Sequence, residues 1–281
     1  MGIIKAFGSS LGSMAADQWK EFFYCDSIPA DQIMLRGSRH ASAQSVNNGS
    51  QDIITDGSII AVADGQCAVV VSNGRVIAVF RESGEHEFRT GETAGIFSGA
   101  GPGKFGKELM RRISFGGDAP AVNHRIYYIN MKVIPDNRFG YGMEVPFRVN
   151  DAARNTDIDC TLIMSGSFAF RIYDPEKIYK QVIGNVKRIY PVSYLAAQMQ
   201  ADVDSTLLSA AGAVCGGGFR PYEASGFIPE IQERVMEEAN TMLRKLRGIE
   251  LTALAFDSFR MADPDTGTIR TIQLASVMRP Q

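Results

Sequence analysis

A glycine-rich segment is the part of the sequence that comes nearest to a known chemical site. Residues 101–107 read GPGKFGK, which satisfies the G-x-x-x-x-G-K pattern of a phosphate-binding loop. Such a loop needs a hydroxyl residue next to hold Mg²⁺, but Glu108 follows here, and its carboxylate would repel phosphates. A buried strand should also lead into the loop, whereas residues 93–98 are polar at both ends. Nucleotide binding at 101–107 is therefore only a minor alternative, and the wider 90–106 loop has no assigned role.

The other residue types that could carry catalysis are isolated. The three histidines, His40, His86 and His124, show no H-E-x-x-H or paired-ligand spacing, and no G-x-S-x-G motif is present. Asp157 and Asp159 share one face of a predicted strand, which is typical of a solvated surface. His86 could titrate near neutral pH, although a surface or hairpin role is favoured. The sequence predicts no catalytic residue, no cofactor and no metal site, so no enzyme is expected.

Composition and charge restrict the class of protein. The 281 residues are 45% hydrophobic and 21% charged, as in a globular protein with one large or two modest domains. A formal net charge of -2 and a pI near 6.0 argue against nucleic-acid binding. The sequence has no secretory signal and no apolar run long enough to cross a bilayer, so we expect a cytoplasmic protein. Four widely spaced cysteines without C-x-x-C spacing agree with a reducing compartment: Cys25, Cys67, Cys160 and Cys215.

The N-terminal residues 1–25 have the pattern of an amphipathic helix. Apolar side chains recur at helical spacing and polar ones fall on the opposite side. A helix in the membrane interface is the preferred interpretation, and a helix packed on the protein's own core is the alternative. Because its lysines are offset by acidic residues, one helix should bind weakly and several copies in an oligomer should bind well. The predicted membrane-contacting residues are Ile4, Phe7, Leu11, Met14, Trp19 and Phe22.

A long strand and its neighbours must position any functional surface. From residue 157 to 172 the even positions are apolar and the odd positions mostly polar, which predicts one extended strand with two different faces. Gly166 interrupts the apolar face and suggests a bulge or bend. Asp174 and Pro175 then form a helix start. This stretch therefore joins strand to helix in an α+β domain.

Turn residues and periodicity predict the remaining elements. Asp-Gly and Asn-Gly pairs indicate hairpins in the first half of the chain, most clearly at Asn73 and Gly74. Residues from Asp263 onward read as a polar tail. The predicted strands and helices of the second half are a strand over 125–135, helices over 175–183, over 192–214 and from near Pro229, and a last strand over 249–260.

Short segments spread along the chain carry a resemblance to a known family. They are residues 65–71, the hairpin at 73–74, residues 84–86 (GEH) and residues 170–176 (FRIYDPE). These segments resemble the SPFH family, which includes stomatin, prohibitin, flotillin and HflK/HflC. Residues 16–22 (ADQWKEF), 115–117 (FGG), 125–130 (RIYYIN) and 145–148 (VPFR) resemble, more narrowly, a bacterial branch often labelled virion core protein or YdjI-like. The resemblance extends over nearly the whole chain.

The resemblance implies both a fold and a function. The fold would be an SPFH (band 7) domain over residues 26–262, with a hairpin-rich antiparallel β subdomain at 26–155 and an α/β subdomain at 156–262. The N-terminal helix would precede it, and residues 263–281 would form a C-terminal tail. The function would be a non-catalytic, oligomeric, membrane-associated scaffold at the cytoplasmic face of the bacterial inner membrane, in an envelope or phage-shock-type stress response. Its partners would be further copies, membrane lipids, small inner-membrane proteins and phage-shock-type stress proteins.

The C-terminal part departs from the family pattern. Residues 263–281 lack the heptads of the long coiled coil in large SPFH cages, and the flexible linker and zinc ribbon of the bacterial branch are not in this sequence. We therefore expect either a truncated chain or another mode of assembly. A phage or virion structural protein, as the branch's label suggests, is the second functional interpretation.

Overall fold

The chain folds into two compact α+β units. The computed structural model describes residues 21–41, 54, 57–89, 124–151, 156–184, 186–215 and 225–277. Unit 1 comprises Met1–Lys132 and Ile172–Val192, and unit 2 comprises Val133–Arg171 and Ser193–Gln281. The mixed helical and mainly antiparallel strand content agrees with the predicted fold class.

The first sheet of unit 1 has the strand order β3-β1-β4-β7. Its strands are β1 (Glu21–Tyr24), β3 (Ser38–Ala41), β4 (Ser58–Val62) and β7 (Gly84–Phe88). β1 and β4 run parallel, and the other neighbours run antiparallel. The β4 sequence SIIAV is buried along its whole length, as expected for a central strand that is covered on both faces.

The second sheet of unit 1 has the order β12-β2-β8-β5-β6, and all its neighbours are antiparallel. Its strands are β2 (Gln32–Arg36), β5 (Gln66–Ser72), β6 (Arg75–Phe80), β8 (His124–Asn130) and β12 (Ile189–Pro191). Asn73 and Gly74, with φ angles of 47° and 79°, turn the chain between β5 and β6. The predicted Asn-Gly hairpin is therefore confirmed. Residues of both sheets, including Ile60, Phe88 and Tyr128, form one buried cluster.

The strand β1 corrects the predicted extent of the N-terminal helix. Phe22 lies in β1, opposite His40 of β3 and Ile59 of β4, so a helix cannot reach residue 25. The buried Glu21 carboxylate accepts a hydrogen bond from Ser58 Oγ at 3.0 Å, which fixes this segment in the sheet. The other predicted membrane-contacting residues lie outside the part of the chain that the structure describes: Ile4, Phe7, Leu11, Met14 and Trp19.

The helix after the long strand begins as predicted. α1 (Pro175–Ile178) has the Asp174 side chain at its N-cap, where it accepts hydrogen bonds from the backbone N–H groups of Glu176 and Lys177, both at 3.1 Å. The helix continues as a π-helical turn over Tyr179–Ile183. Capping by aspartate and proline at the first helical position is therefore the local cause of this helix start.

The described residues of unit 2 form one sheet, and helices pack against it. Its strands are β9 (Ile134–Phe139), β10 (Glu144–Asp151), β11 (Thr156–Ile172) and β13 (Ile249–Met261), and its helices are α2 (Ser193–Cys215), α3 (Ile228–Leu246) and α4 (Asp263–Val277). β10 pairs antiparallel with the first half of β11, and β9 pairs with the second half. α2 packs against β9, β10 and α3, while α3 packs against β13.

The strand β11 has the two faces that its sequence predicts. Every even position from 160 to 172 is buried, and the odd positions from 157 to 171 are partly or fully exposed. The same alternation places Leu162, Met164 and Phe170, each nearly inaccessible to solvent, in the core of unit 2. Alternation of apolar and polar residues was sufficient to predict this strand because one of its faces is buried.

The bulge predicted at Gly166 is not found in the pairing of β11 with β9. The irregularity in strand pairing lies between Phe168 and Phe170, not at Gly166. A Cβ atom at Gly166 would overlap the carbonyl oxygen of Ala255 and would lie 2.6 Å from Cζ of Phe139. Glycine is needed here because the neighbouring strand and an aromatic ring approach the backbone closely.

Two predicted elements differ from the observed ones. The strand predicted over 125–135 is two strands, β8 and β9, because the Asn130 side chain turns the chain by accepting a hydrogen bond from Lys132 N at 3.0 Å. The tail predicted from Asp263 is helix α4. Its start is tied to β11, since Asp265 Oδ2 accepts a hydrogen bond from Thr161 N at 2.6 Å. Both differences depend on contacts that a local sequence pattern does not encode.

The two units also divide the chain differently from the predicted subdomains 26–155 and 156–262. β9 and β10 precede residue 156, but they pair with β11 and belong to unit 2. Ile172–Val192 follows β11 but returns to unit 1, where β12 pairs with β2. The chain therefore crosses between the units three times, and no single cut separates them.

Candidate interaction surface

Two of the candidate residues that the sequence offered, His86 and Asp157, take part in structural contacts. His86 Nε2 lies 2.8 Å from the carbonyl oxygen of Glu82, and its ring stacks at 5.1 Å from that of Phe80. Asp157 accepts two hydrogen bonds from the Arg148 guanidinium on β10, and these bonds lower the pKa of the Asp157 carboxyl. These contacts join neighbouring strand segments. The 101–107 loop lies outside the described residues.

The cysteines have the properties of buried core thiols. Burial raises the pKa of Cys25 and Cys215 to about 11 and that of Cys67 to about 12, and it raises the pKa of Cys160 as well. All four thiols are therefore protonated at neutral pH. Within the described ranges no group of three or more His, Cys, Asp or Glu residues could hold a metal ion. In the same ranges no helix has the length and apolar character needed to cross a membrane.

The solvent-facing side of α2 is unusual because it carries small and apolar side chains. We define the α2 outer face by five exposed residues: Tyr194, Ala197, Ala201, Ser205 and Leu208. Tyr194 is 70% exposed and Leu208 is 45% exposed, while the residues between them are small. α2 contains no lysine, arginine, glutamate or histidine along its 23 residues. The α2 outer face is therefore an exposed part of unit 2 without charged side chains.

The acidic residues of α2 are engaged within unit 2. Asp202 accepts hydrogen bonds from Arg247 Nε at 2.7 Å and from Gln198 Nε2 at 2.9 Å. Asp204 Oδ1 accepts a hydrogen bond from the backbone N–H of Gly140 at 2.7 Å. These bonds anchor the helix to the strand turn and to the end of α3, so the α2 outer face is held in a fixed orientation within the unit.

An exposed aromatic residue projects from the turn that Asp204 anchors. The turn between β9 and β10 has Gly140 and Gly142 at φ angles of 71° and 77°, and Met143 N donates to Gly140 O at 3.0 Å. Between the glycines lies Tyr141, which is 90% exposed. Gly140, the residue before Tyr141, is therefore hydrogen-bonded to α2 one helical turn from Leu208.

The neighbouring helix α3 provides an internal comparison. It buries Ile231, Val235, Ala239 and Leu243, while its exposed side is dominated by charged residues such as Glu233. That distribution is the ordinary pattern of an amphipathic helix at a protein surface. α2 and α3 pack side by side in the same unit, so the uncharged outer face distinguishes α2 from its neighbour.

The α2 outer face is symmetric in sequence about its centre. The spacings from Tyr194 to Ala197, Ala201, Ser205 and Leu208 are three, four, four and three residues. A large residue therefore ends the series on each side, and three small residues lie between them. If two such helices pack antiparallel about a two-fold axis at Ala201, Tyr194 of one copy meets Leu208 of the other.

Sequence reasoning had identified α2 only by its buried side. The periodicity of residues 192–214 predicts one core-facing side made of Val192, Leu195, Met199, Val203, Leu207, Ala210 and Val214. The five residues from Leu195 to Ala210 are buried, whereas Val192 and Val214 are partly exposed. The outer face could have been noticed from the lack of charged residues at the complementary helical positions. Only the structure shows that this face is exposed, because a helix face without charged residues can equally be buried.

Comparison with known proteins does not assign the chain to a family: no protein-family model matches it, and no curated protein does.

Proposed function

We propose that the protein is a non-catalytic scaffold subunit that self-associates at the cytoplasmic face of a bacterial inner membrane. The resemblance of its sequence segments to SPFH proteins supports a role in an envelope or phage-shock-type stress response, with small inner-membrane proteins and stress proteins as the proposed partners. The observation that carries the proposal is the α2 outer face, which is exposed, uncharged and symmetric about Ala201. A second copy of the same chain is the partner that matches this surface.

The size of the surface predicts how the scaffold assembles. From Tyr194 to Leu208 the helix rises about 21 Å, and a strip of about 10 Å width covers about 200 Å². A stable interface needs about 800 Å² on each partner. The α2 contact alone is therefore weak, and it becomes effective where other contacts hold several copies together. Attachment of many copies to one membrane raises their effective concentration, which strengthens this weak contact.

Disulfide trapping tests the α2 contact directly. An Ala201→Cys variant should form covalent dimers under mild oxidation, because the two-fold axis places this position opposite itself. The native cysteines are all buried, so they contribute little background. Thr241→Cys on the exposed side of α3 is the matched control and should remain monomeric on a non-reducing gel.

A mixing experiment tests the register of that contact. Ala197→Cys and Ser205→Cys should each cross-link weakly alone and efficiently when mixed, because the antiparallel arrangement pairs position 197 with 205. Equal cross-linking of Ala201→Cys and Thr241→Cys, or no gain on mixing, would overturn the proposed interface.

The membrane part of the proposal rests on residues 1–20. Apolar residues at helical spacing there match an interfacial helix. In liposome co-sedimentation, the Ile4/Phe7/Leu11→Glu variant should remain in the supernatant while the unaltered chain pellets. If both proteins pellet equally, the helix is not the anchor, and self-association through α2 would still have to be judged from the cross-links.

Two alternatives give different results. A phage or virion structural protein would use the same self-association surface but would show no dependence on lipid. A nucleotide-binding protein using the 101–107 loop would show a rise in melting temperature with ATP, and Lys107→Ala would abolish that rise.

A further inference from the structure

A histidine without hydrogen-bond partners is buried at one end of the second sheet of unit 1. His124 is the first residue of β8 and lies opposite Ser72 of β5. Only 8% of the residue is exposed to solvent. Neither Nδ1 nor Nε2 of its ring has a hydrogen-bond partner. A buried imidazole normally satisfies at least one of these nitrogens, so this residue stores an unfavourable contribution in the folded state.

Among the residues that the structure describes, the groups beside the ring offer no compensating negative charge. The ring of Phe88 on β7 contacts the imidazole edge-on, with ring centroids 6.1 Å apart. Arg125 follows His124 in β8, so its side chain extends from the opposite face of the strand. On β7 the carboxylate of Glu87 pairs with Arg89 at 2.9 Å. The partner strand β5 contributes the uncharged Ser72.

The buried carboxylate of Glu21 is already paired within the first sheet. Phe88 lies opposite Ser58 of β4, whose hydroxyl donates to Glu21. Glu21 also pairs with Arg39 at 3.3 Å. The environment of His124 is therefore apolar on the β7 side, and burial lowers the pKa of its imidazole below the ordinary value of 6.5.

We propose that His124 is an acid-sensitive switch that opens the end of β8 and loosens unit 1 when the pH falls. A protonated imidazole cannot stay in this site without an acceptor for its two N–H groups. Opening of the Ser72–His124 end of the β5–β8 pairing would expose the ring, because His124 is the first residue of its strand. This inference is independent of the proposed scaffold function.

The direction of the effect follows from the lowered pKa. In the unfolded or opened state His124 titrates near 6.5, and in the folded state it titrates lower. The folded state therefore has its full stability above pH 6.5, where the His124 ring is neutral. This stability is lost as the pH falls toward the folded-state pKa, because the opened form then binds one more proton. Between the two pKa values, the unfolding equilibrium constant should rise about tenfold for each unit by which the pH falls.

Urea unfolding of the full chain at about pH 7.5, 6.5 and 5.5 tests the switch. The unaltered protein should lose stability more steeply than His124→Leu, which keeps an apolar side chain beside Phe88 and cannot be protonated. The His40→Gln/His86→Gln double variant is the control and should retain the full pH dependence, because it keeps His124. A His124→Leu variant with the same pH dependence as the unaltered protein would overturn the proposal.

A second measurement keeps the test decisive if His124→Leu does not fold. In the His40→Gln/His86→Gln variant, His124 is the single remaining histidine of the 281-residue chain, so its imidazole resonance can be followed by NMR. We expect a midpoint below 6.5, or loss of the folded signal before titration is complete. A midpoint at or above 6.5 in an intact fold contradicts the switch.

Discussion

Gly166 illustrates how a single residue can have a different role from the one its position suggests. It lies in the middle of β11, where a missing side chain normally weakens a strand. The ring of Phe139 and the carbonyl of Ala255 occupy the space that a Cβ would need. Close packing across the sheet is therefore the reason for glycine at this position.

A matched pair of glycine substitutions tests this explanation. Gly166→Ala should destabilise the protein by about 1–3 kcal/mol, because β13 and Phe139 must move to admit a methyl group. Gly267→Ala is the control: no atom lies within 4 Å of its added Cβ, and Gly267 lies inside helix α4. This change should be neutral or should stabilise by up to about 1 kcal/mol, since alanine favours helix. Chemical denaturation measures both, and equal effects would contradict the packing argument.

At the scale of elements, side chains from α3 close part of the outer edge of β13. Asn240 Nδ2 donates to Leu251 O at 3.2 Å, and Asn240 Oδ1 accepts from Leu251 N at 2.6 Å. Gln232 Nε2 donates to the carbonyl oxygen of Leu254. β13 ends the order of its described sheet, so these amides supply hydrogen bonds that a further strand would otherwise give.

Removal of the Asn240 side-chain amide should weaken the attachment of α3 to β13. Asn240→Ala leaves the N–H and C=O of the buried Leu251 without their present partner, which costs about 1–3 kcal/mol. Thr241→Ala, one residue along on the exposed side of α3, should change the free energy of unfolding by less than about 1 kcal/mol. Urea unfolding monitored by circular dichroism compares the two. If Asn240→Ala lowers the free energy of unfolding no more than Thr241→Ala does, the hydrogen bonds from Asn240 to the edge of β13 contribute little to stability.

At the scale of the whole molecule, the two units are interleaved along the chain. Unit 1 takes Ile172–Val192 from beyond β11, and unit 2 takes Val133–Arg171 from before α2. Each unit therefore depends on segments that are distant in sequence. This arrangement raises the separation between contacting residues, which slows folding relative to two consecutive domains.

A cut between residues 155 and 156 tests this organisation. The fragment 1–155 lacks β12 and α1, while the fragment 156–281 lacks both β9 and β10. Neither fragment should fold alone, and mixing them should restore the circular dichroism spectrum of the intact chain. Two separately folded fragments with cooperative unfolding would instead support the boundary that the sequence suggested.

The sequence by itself determined the elements whose causes are local. The alternation in β11, the Asn73-Gly74 hairpin and the Asp174 cap all follow from neighbouring residues, and all are present in the structure. A backbone conformation or a two-faced pattern acts over a few residues, so a short stretch contains the necessary information.

Only the tertiary structure decided how the chain is divided and which surfaces remain exposed. Asn130 separates β8 from β9, Asp265 ties α4 to β11, and no described element covers the α2 outer face. His124 looked like an isolated histidine until its burial and unpartnered nitrogens were visible. Each of these features depends on residues far apart in sequence, since burial and pairing are properties of the packed chain.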